Sequence, residues 1–477
     1  MSIFLCNMKE KKMINGKYLL EMGFSEGKVI GEILGLVEQV RDTEAMEDLI
    51  LALGEVLKTP DGYLNDEKFS EVAKALLPEE DPTIPLKEHP EKYEIYGADG
   101  IEPGAIKQMN MAMRLPVARA GALMPDAHQG YGLPIGGVLA TENAVIPYGV
   151  GVDIGCRMCM TIYPVPADTV ERHKGGLKQL LLDNTRFGRA VFDKPTDHEV
   201  LADPLFNEVN IVRELKDRAT AQIGTSGGGN HFVEFGTVEV LDETNEFGLP
   251  FGDYLAVLSH SGSRGFGANI AAHYTKLAKE LCQLPHEARH LAWLDLDTEA
   301  GQEYWQAMQL AGRYAAACHD QIHARMAASL GEGPAAKIEN HHNFAWKEKD
   351  AEGHEIIVHR KGATPAGNGV LGIIPGSMTA PGFVVRGKGE TAAVNSASHG
   401  AGRVMSRTMA KKTLDGEAVA RHLKEVGIEL IGSGIDEAPM AYKDINKVMA
   451  AQKDLVEVVG RFQPKIVRMC GDEGFLS

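Results

Sequence analysis

The sequence predicts an α+β fold: one large domain of mixed strands and long helices, preceded by a helical region. Apolar, β-branched stretches such as GGVLAT (136–141) and YLAVLSH (254–260) are typical of strands. Three longer stretches have helical periodicity, at 268–283, 300–330 and 415–426. No G-x-G-x-x-G motif opens a strand–helix–strand unit with an acidic residue about 20 positions on, which argues against a dinucleotide-binding, doubly wound sheet.

The N-terminal region is predicted to be helical and separate from the rest of the chain. Three segments have amphipathic or helix-favouring sequences, at 29–40, 45–57 and 69–77. We expect the side chain of Asn65 to cap the third helix. Four prolines in PEEDPTIPLKEHPEKY (78–93) indicate a boundary. We therefore predict a helical lead region over 1–95 and a catalytic domain over 96–477.

Composition and charge limit the classes of function. With 44% hydrophobic and 24% charged residues, the 477-residue chain has the composition of a soluble globular protein. Its net charge of −17 argues against a broad nucleic-acid-binding surface, although basic residues gather at 360–361, 386–388 and 403–412 and leave room for a local positive cleft. No apolar run approaches the ~18 residues of a membrane span, and the six cysteines lack disulfide-framework spacing. We expect a cytoplasmic protein without membrane contact.

Six short segments are rich in Gly, His, Asp or Cys, and five of them contain glycine. Glycine makes up 53 of 477 residues, roughly 11% against a typical ~7%, and the excess is concentrated in these segments. Because glycine lets the backbone approach a ligand closely, we expect one site built from distant loops and suited to metal-assisted phosphoryl transfer. The segments are MPDAHQGYGLPIGG (124–137), GVDIGCRM (151–158), GTSGGGNHFVEF (224–235), HSGSRGFG (260–267), NHHNFAW (340–346) and SASHGAGR (396–403).

Candidate metal ligands lie in four of these segments. Asp153 and Cys156 are three residues apart on a glycine-containing turn, so a carboxylate and a thiolate can point at one centre. The alternative is a buried structural cysteine beside a turn aspartate. Three histidines complete a five-ligand set compatible with a binuclear centre bridged by the thiolate: His231, His260 and His342. The sequence does not distinguish His342 from His341, and the ligand set suits zinc while admitting manganese.

His399 is the candidate nucleophile. Imidazole can attack phosphorus and hold the phosphoryl group, and the following glycines and Arg403 suit a charged group; the alternative is a further metal ligand. Asp126 and His128 are candidates for orienting that imidazole, or else parts of a structural turn. HRKGATPAG (359–367) is predicted to be a basic loop after a strand, either binding nucleic-acid phosphates or simply solvated.

The ordered motifs PDAHQGYGLPIGG, GVDIGC, GGGNHF, HSGSRG, HRKGAT, PGSM and SHGAGRVMSR together resemble the RtcB family of RNA-splicing ligases, over about residues 97–477. The resemblance implies a distinctive α+β fold and an enzyme of RNA repair or tRNA splicing. It implies joining of RNA ends that carry a 2′,3′-cyclic phosphate or 3′-phosphate to ends that carry a 5′-hydroxyl, with GTP and two Mn²⁺ ions. Some members are assisted by an archease-type activator.

The resemblance also implies roles for individual residues. The Mn²⁺ ligands would be Asp153, Cys156, His231, His260 and His342, with Cys156 shared by both ions. His399 would attack the α-phosphorus of GTP to give a covalent histidine–GMP, which passes to the RNA 3′-phosphate before the 5′-hydroxyl displaces GMP. The residues implied to hold the nucleotide are Asn230, His231, Phe232, Val233, Glu234, His342, Asn343, Pro375, Gly376, Ser377, Met378, His399, Gly400, Ala401, Gly402, Arg403 and Tyr442.

Three positions depart from the family pattern. Arg157 follows the cysteine where the family has a small residue, Gly382 stands where a serine contacts the nucleotide, and Cys470 stands where a C-terminal lysine reaches the guanine. These changes predict a divergent paralogue with altered guanine contacts. They also motivate an alternative, a metal-dependent 3′-end nucleotidyl transferase (capping) or phosphoesterase acting on RNA or DNA ends without ligation. A non-catalytic RNA-binding protein is the third interpretation, and the presence of all five ligands and His399 argues against it.

Overall fold

The computed structural model describes residues 14–41, 43–77, 83–242 and 244–471. Contacts divide the chain into two compact units, Met1–Pro82 and Thr83–Ser477. The segment 83–95, which the sequence analysis placed in the lead region, belongs to the larger unit. Within it, the N–H of Ile84 donates to the carbonyl of Gln283 at 2.8 Å. The division into a lead region and a catalytic domain remains a prediction about roles.

The smaller unit is helical, and its two amphipathic helices form where they were predicted. Its helices are α1 (Gly16–Glu21), α2 (Lys28–Val40), α3 (Met46–Lys58) and α4 (Ser70–Leu76). Apolar residues every three or four positions, among them Ile33, Leu49 and Leu53, are fully buried in a shared core. The cap predicted at Asn65 is wrong. The neighbouring Asp66 instead accepts the N–H groups of Lys68 and Phe69, both at 2.9 Å, in an Asx-turn before α4.

Strands of the larger unit form two main sheets. They are β1 (Glu94–Ile95), β2 (Ala118–Tyr131), β3 (Leu133–Thr141), β4 (Ala144–Val145), β5 (Arg157–Pro166), β6 (Phe232–Val240), β7 (Gly252–Ser261), β8 (Leu294–Asp295), β9 (Ala336–His341), β10 (Asn343–Lys349), β11 (Glu355–Lys361), β12 (Ala363–Pro365), β13 (Leu371–Ile374), β14 (Gly382–Gly387), β15 (Ser396–Ser398), β16 (Glu429–Ile431) and β17 (Val456–Met469). One sheet has the order β1-β2-β3-β11-β10, and the other β13-β14-β17-β6-β7-β5-β9 with β16 paired to β17.

Helices of the larger unit pack around these sheets. They are α5 (Pro103–Ala112), α6 (Pro147–Val150), α7 (Thr169–Arg172), α8 (Lys174–Asn184), α9 (Leu205–Glu208), α10 (Asn210–Glu214), α11 (Lys216–Gln222), α12 (Arg264–Leu281), α13 (Glu299–Leu330), α14 (Arg407–Thr413), α15 (Gly416–Glu425) and α16 (Ile445–Ala451). The predicted helices at 268–283, 300–330 and 415–426 are confirmed as α12, α13 and α15. Pairing is antiparallel except for β1 with β2 and β16 with β17. The α+β prediction is confirmed.

Strand register explains why the Gly-rich segments meet. His260 on β7 lies opposite Phe232 on β6 and Met158 on β5. Since β7 runs antiparallel to both neighbours, the end of β7 lies beside the starts of β5 and β6. Arg157 of β5 pairs with His341, so the end of β9 lies at the same edge. Loops at this edge carry the candidate metal ligands.

The described residues include no helix with the length and apolarity that crossing a bilayer requires.

From the burial of one histidine we predict how the free energy of unfolding depends on pH. His359 is fully buried; its Nε2 accepts the N–H of Ile146 at 2.9 Å and its Nδ1 donates to the carbonyl of Leu139 at 3.1 Å, so only the neutral ring fits. Burial lowers the pKa of His359 from 6.5 to about 4. The unfolded chain therefore binds a proton before the folded chain does as the pH falls. From His359 alone, we expect the free energy of unfolding to fall by about 2 kcal/mol between pH 7 and pH 5.

Urea unfolding at the two pH values measures this dependence. In His359→Gln, the unfolding free energy should depend less steeply on pH, because the titrating group is gone while an acceptor for Ile146 is retained. An equal pH dependence in the wild-type and variant proteins would contradict the assignment.

Candidate functional site

A cavity of about 360 Å³ lies where the loops at the sheet edge meet. All six of the segments singled out in the sequence contribute residues to its walls. Among these residues are His128, Asp153, His260, His342 and His399. Segments that are more than 270 residues apart in the chain therefore line the same cavity. This agrees with the prediction that distant loops form one site.

The candidate metal ligands converge on one side of this cavity. Cys156 Sγ lies 3.1 Å from His260 Nε2 and 3.4 Å from His231 Nε2. His260 Nε2 lies 3.2 Å from His342 Nε2, and His231 Nε2 lies 2.9 Å from a carboxylate oxygen of Asp153. The structure thus brings all five together, with the thiol between the histidines. Nitrogen, oxygen and sulfur atoms that bind the same cation typically lie about 3 Å from one another, as these atoms do.

The orientation of the rings fits a divalent cation. Nδ1 of His231 donates to the carbonyl of Ser226 at 2.8 Å, and Nδ1 of His260 donates to the carbonyl of Asn230 at 3.1 Å. The hydrogens are therefore on the Nδ1 atoms, and the Nε2 lone pairs face the thiol. Lone pairs held this close repel one another unless a cation or proton lies between them.

The pKa shifts of these side chains also agree with the binding of a divalent cation. Burial lowers the pKa of His260 to about 3 and that of His342 well below its ordinary value, so both rings are neutral. Burial, followed by the nearby Asp153 carboxylate, raises the pKa of the Cys156 thiol well above its ordinary value. A thiolate here needs a cation to stabilise it. Sulfur and imidazole favour zinc, and the carboxylate admits manganese.

His341 lies away from the cluster. Its ring packs against those of Phe344 and Trp346, with centroids 4.9 Å away in each case. The geometry therefore distinguishes the two adjacent histidines that the sequence could not, and His342 is the one that faces the cavity.

His399 lies beside the metal-ligand cluster and is held by Asp126. Its Nδ1 donates to a carboxylate oxygen of Asp126 at 2.6 Å, and its backbone N–H donates to the same oxygen at 3.2 Å. Asp126 is fully buried. The ring centroid of His399 lies 5.0 Å from that of His342. With its hydrogen on Nδ1, the ring offers the Nε2 lone pair as a nucleophile.

The residues predicted to hold a nucleotide line the rest of the cavity, with one difference. Along β6 the side chains alternate, so Phe232 and Glu234 face the cavity while Val233 points into the hydrophobic core. Val233 was predicted as a nucleotide contact, and its side chain does not reach the cavity. Burial raises the pKa of the Glu234 carboxyl well above its ordinary value, which favours the protonated form. The other predicted residues on the cavity wall are Asn230, His231, His342, Asn343, Pro375, Gly376, Ser377, Met378, His399, Gly400, Ala401, Gly402, Arg403 and Tyr442.

Two arginines of the site, Arg403 and Arg407, pair with neighbouring carboxylates. Arg403 donates to a carboxylate oxygen of Glu437 at 3.5 Å and lies over the ring of Tyr442, 5.2 Å from its centroid. Arg407 pairs with Asp436 at 2.9 Å and also with Glu437. Arg407 and Glu437 line the cavity but were not predicted. The sequence IDEAPM places two carboxylates next to each other, and this is the signal that could have suggested partners for the arginines.

The basic segment at 359–361 is not a loop. His359, Arg360 and Lys361 are the last residues of β11, and all three are buried. Arg360 pairs with Glu348 at 2.5 Å and stacks on Trp346, 4.7 Å from the ring centroid. The predicted loop is therefore wrong at these residues, which are neither a turn nor solvated. The strand continues because each cation finds a partner inside the fold, and only Lys361 reaches the cavity.

The three departures from the family pattern have different surroundings. Arg157 is buried and donates to the carbonyl of Gly312 at 3.0 Å. Gly382 lines the cavity that contains the candidate metal ligands. Cys470 lines a separate cavity of about 350 Å³ together with Arg186 and Arg468.

A second buried group of metal-binding residue types lies outside the cavity, formed by Cys159, His319 and His323. The hydroxyl of Ser259 lies 2.7 Å from His319 Nδ1 and 2.8 Å from His323 Nε2. Thr161 Oγ1 lies 2.6 Å from His323 Nδ1. Ring nitrogens that a cation would require are thus engaged in hydrogen bonds, and the group supports β5 and β7 beneath the cavity.

Comparison with known proteins relates this arrangement to a family. The family model described as tRNA-splicing ligase RtcB matches residues 108–209 and 205–469. The RNA-splicing ligase RtcB of Escherichia coli (strain K12) is 35% identical over 389 residues, covering 75% of this chain and 92% of the relative. The tRNA-splicing ligase RtcB of Thermococcus kodakarensis is 29% identical over 427 residues, covering 74% and 88%. The RNA-splicing ligase RtcB of Mycobacterium tuberculosis is 30% identical over 426 residues, covering 75% and 98%.

Proposed function

The chain belongs to the RtcB family of tRNA-splicing ligases, and from this premise we propose that it is a GTP- and Mn²⁺-dependent RNA ligase. Its substrates are RNA ends carrying a 2′,3′-cyclic phosphate or 3′-phosphate and ends carrying a 5′-hydroxyl. The reaction proceeds through a covalent histidine–GMP intermediate at His399 and serves RNA repair or tRNA splicing. We also propose an archease-type activator as its partner.

One observation carries the proposal. His399, the candidate nucleophile, and the Cys156–histidine cluster line the same cavity, with the rings of His399 and His342 5.0 Å apart. A nucleophile beside a divalent-metal site, in a cavity with space for a nucleotide, is the arrangement that nucleotidyl transfer requires.

Different residues of the chain would hold the metal ions and orient the nucleophile. Asp153, Cys156, His231, His260 and His342 would hold two Mn²⁺ ions, with Cys156 shared. When bound, these ions neutralise charge on the phosphates and align the reacting groups. Asp126 keeps the hydrogen of His399 on Nδ1, so that Nε2 is free to attack.

The proposed sequence of bonds starts with attack by His399. Its Nε2 bonds to the α-phosphorus of GTP and pyrophosphate leaves. Where the RNA ends in a 2′,3′-cyclic phosphate, water first adds to phosphorus and the bond to the 2′-oxygen breaks, which leaves a 3′-phosphate. An oxygen of the 3′-phosphate then takes the guanylate and frees the imidazole. The 5′-hydroxyl of the second RNA end attacks the activated 3′-phosphate, GMP leaves, and a phosphodiester is formed. Arg403 and the backbone N–H groups around Gly400 and Gly402 are placed to hold the charged nucleotide.

An end-joining assay tests the proposal. Two RNA strands, one ending in a 2′,3′-cyclic phosphate or 3′-phosphate and one beginning with a 5′-hydroxyl, should yield a longer product only when GTP and Mn²⁺ are present. Matched controls are a second strand with a 5′-phosphate, ATP in place of GTP, and chelation of the metal. We expect no product in any of them.

The same assay separates ligation from the alternative. The alternative, an enzyme that caps or hydrolyses 3′ ends, is motivated by the departures from the family pattern at Gly382, which lines the cavity, and at Cys470, which lies outside it. A first strand that gains GMP or loses its phosphate, without ever joining the second strand, would favour that alternative and contradict the proposed ligase.

A further inference from the structure

Beside the cavity lies a surface of three aromatic rings and three cations that the proposed reaction does not use. We propose that this surface, which we call the aromatic platform, binds the single-stranded RNA segment next to the end that enters the cavity. Its rings are those of Tyr131, Tyr148 and His290, and its cations are Lys279, Arg289 and Lys361. The proposal rests on the proposed function for the identity of the polymer.

The rings form a connected group. Tyr148 and His290 lie 5.3 Å apart between centroids, at an angle of 32°. Tyr131 lies 6.4 Å from Tyr148 and 6.3 Å from His290. Tyr131 is 68% exposed, which is unusual for so large a ring when nothing covers it. An exposed ring backed by two others offers a face on which a nucleobase can stack.

The local backbone fixes Tyr131 in this position. Gly132 is the single residue between β2 and β3, and its φ of +68° suits glycine. A Cβ on Gly132 would lie 2.9 Å from the carbonyl oxygen of His290. The tip of the β2–β3 hairpin is therefore pressed against the segment that carries His290, and the two rings are held together.

The three basic side chains around the rings differ in burial. Lys279 is half-buried and Arg289 is exposed. Lys361 is buried, and burial lowers its pKa from 10.5 to about 7, so that a bound polyanion would favour its protonated form. Lys279 Nζ donates to His290 Nδ1 at 3.2 Å and lies 5.8 Å from the ring centroid of Tyr148. Lys361 Nζ lies 4.8 Å from the same ring and donates to backbone carbonyls of Tyr131 and Tyr148, at 2.6 and 3.1 Å. Among the described residues, the hydrogen-bond partners of Lys279 and Lys361 are a ring nitrogen and two backbone carbonyls, and none of them is a carboxylate.

Other basic residues of the chain are in the opposite situation. Arg386 pairs with Asp242, Glu246 and Glu457 at 2.7 to 2.9 Å. Arg403 is likewise paired with a carboxylate. Although the chain has a net charge of −17, positive groups left without carboxylates form a local patch that can attract a polyanion. Stacking rings beside unpaired cations are the combination that single-stranded nucleic acid requires.

The platform continues into the cavity. Lys361 belongs to both, since its side chain contacts Tyr148 and lines the cavity. Tyr148 also lies on the segment that leads to the metal-ligand candidate Asp153, only five residues further along the chain. A strand stacked on Tyr131 and Tyr148 therefore has its terminal nucleotide at the mouth of the reaction site.

Fluorescence of 2-aminopurine in short RNA oligonucleotides tests the platform. Two probes are used, one carrying a 3′-phosphate and one a 5′-hydroxyl, each with the reporter next to the terminal nucleotide. The probe that occupies the platform should bind about tenfold more weakly to Tyr131→Ala, whereas Tyr131→Trp should stay within about twofold of wild type. In Lys279→Gln, the slope of log affinity against log salt concentration should become less steep by about the amount that one phosphate contact contributes.

Phe251→Ala is the matched control. Phe251 is also an exposed ring, 54% accessible, but it precedes β7 at the end of the strand opposite His260. We expect wild-type binding from this variant. Wild-type affinity in Tyr131→Ala for both probes, or no binding of either probe by the wild-type protein, would overturn the platform.

Transfer of GMP to the protein separates this proposal from the proposed function. Guanylation needs no RNA, so Tyr131→Ala should be labelled by α-labelled GTP at the wild-type rate. If the wild-type protein is not labelled but Tyr131→Ala still loses RNA affinity, the ligase mechanism fails and the platform stands. If labelling and ligation proceed and Tyr131→Ala binds RNA normally, the platform alone fails.

Discussion

Replacing His399 by alanine is expected to abolish the transfer of label from α-labelled GTP to the protein. The imidazole is the group that bonds to phosphorus, and alanine has no atom that can do so. Loss of a covalent nucleophile lowers turnover by factors on the order of 10⁶ in well-studied enzymes, so ligation should fall below detection. The measurement is label retained on the protein band after denaturing electrophoresis, followed by the RNA end-joining assay.

Two further variants make this result specific. His354→Ala removes an imidazole that is 77% exposed, and it should be labelled as the wild-type protein is. Asp126→Asn keeps the size of the partner but removes its charge, so the His399 ring is no longer held with its hydrogen on Nδ1. We expect labelling of Asp126→Asn to be slowed by at least about 100-fold but not abolished. Label that persists on His399→Ala would show that another residue is the nucleophile.

The sequence predicted the site better than it predicted the path of the chain. Cys156, His231 and His260 were identifiable because a thiol and imidazoles beside glycines have few uses in a hydrophobic core. Helices such as α13 (Glu299–Leu330) were predictable because local periodicity determines them. Nothing local determines the order of strands in a sheet, so the pairing of β5 with both β7 and β9 was not predicted.

The errors share a physical cause. Arg360 was expected on a basic loop, either solvated or binding phosphates, but Glu348 and the ring of Trp346 satisfy its guanidinium inside the fold. The partners that decide whether a charge is buried are distant in sequence. The aromatic platform was missed for the same reason, since Tyr131 and His290 are separated by more than 150 residues. Tyr131 lies inside the segment 124–137, but nothing local shows that the ring of His290 lies beside it.

Replacing Cys156 by alanine is expected to remove the bound metal as well as the activity. Cys156 Sγ lies within 3.4 Å of the Nε2 atoms of both His231 and His260, so its loss weakens both proposed metal positions. We expect metal bound per chain, measured by mass spectrometry after dialysis, to fall by at least about tenfold. Ligation should fall by about 1000-fold or more, because charge stabilisation by the cations is worth several kcal/mol.

Cys159→Ala is the matched control for Cys156→Ala. Both thiols are buried and lie three residues apart, but Cys159 belongs to the group in which the rings of His319 and His323 are joined by the hydroxyl of Ser259. Its removal should leave the metal content unchanged. If Cys159→Ala lost the metal while Cys156→Ala retained it, the cation would have to lie beneath β5 and β7 instead of in the cavity beside His399. That result would remove the physical basis for guanylation at this site.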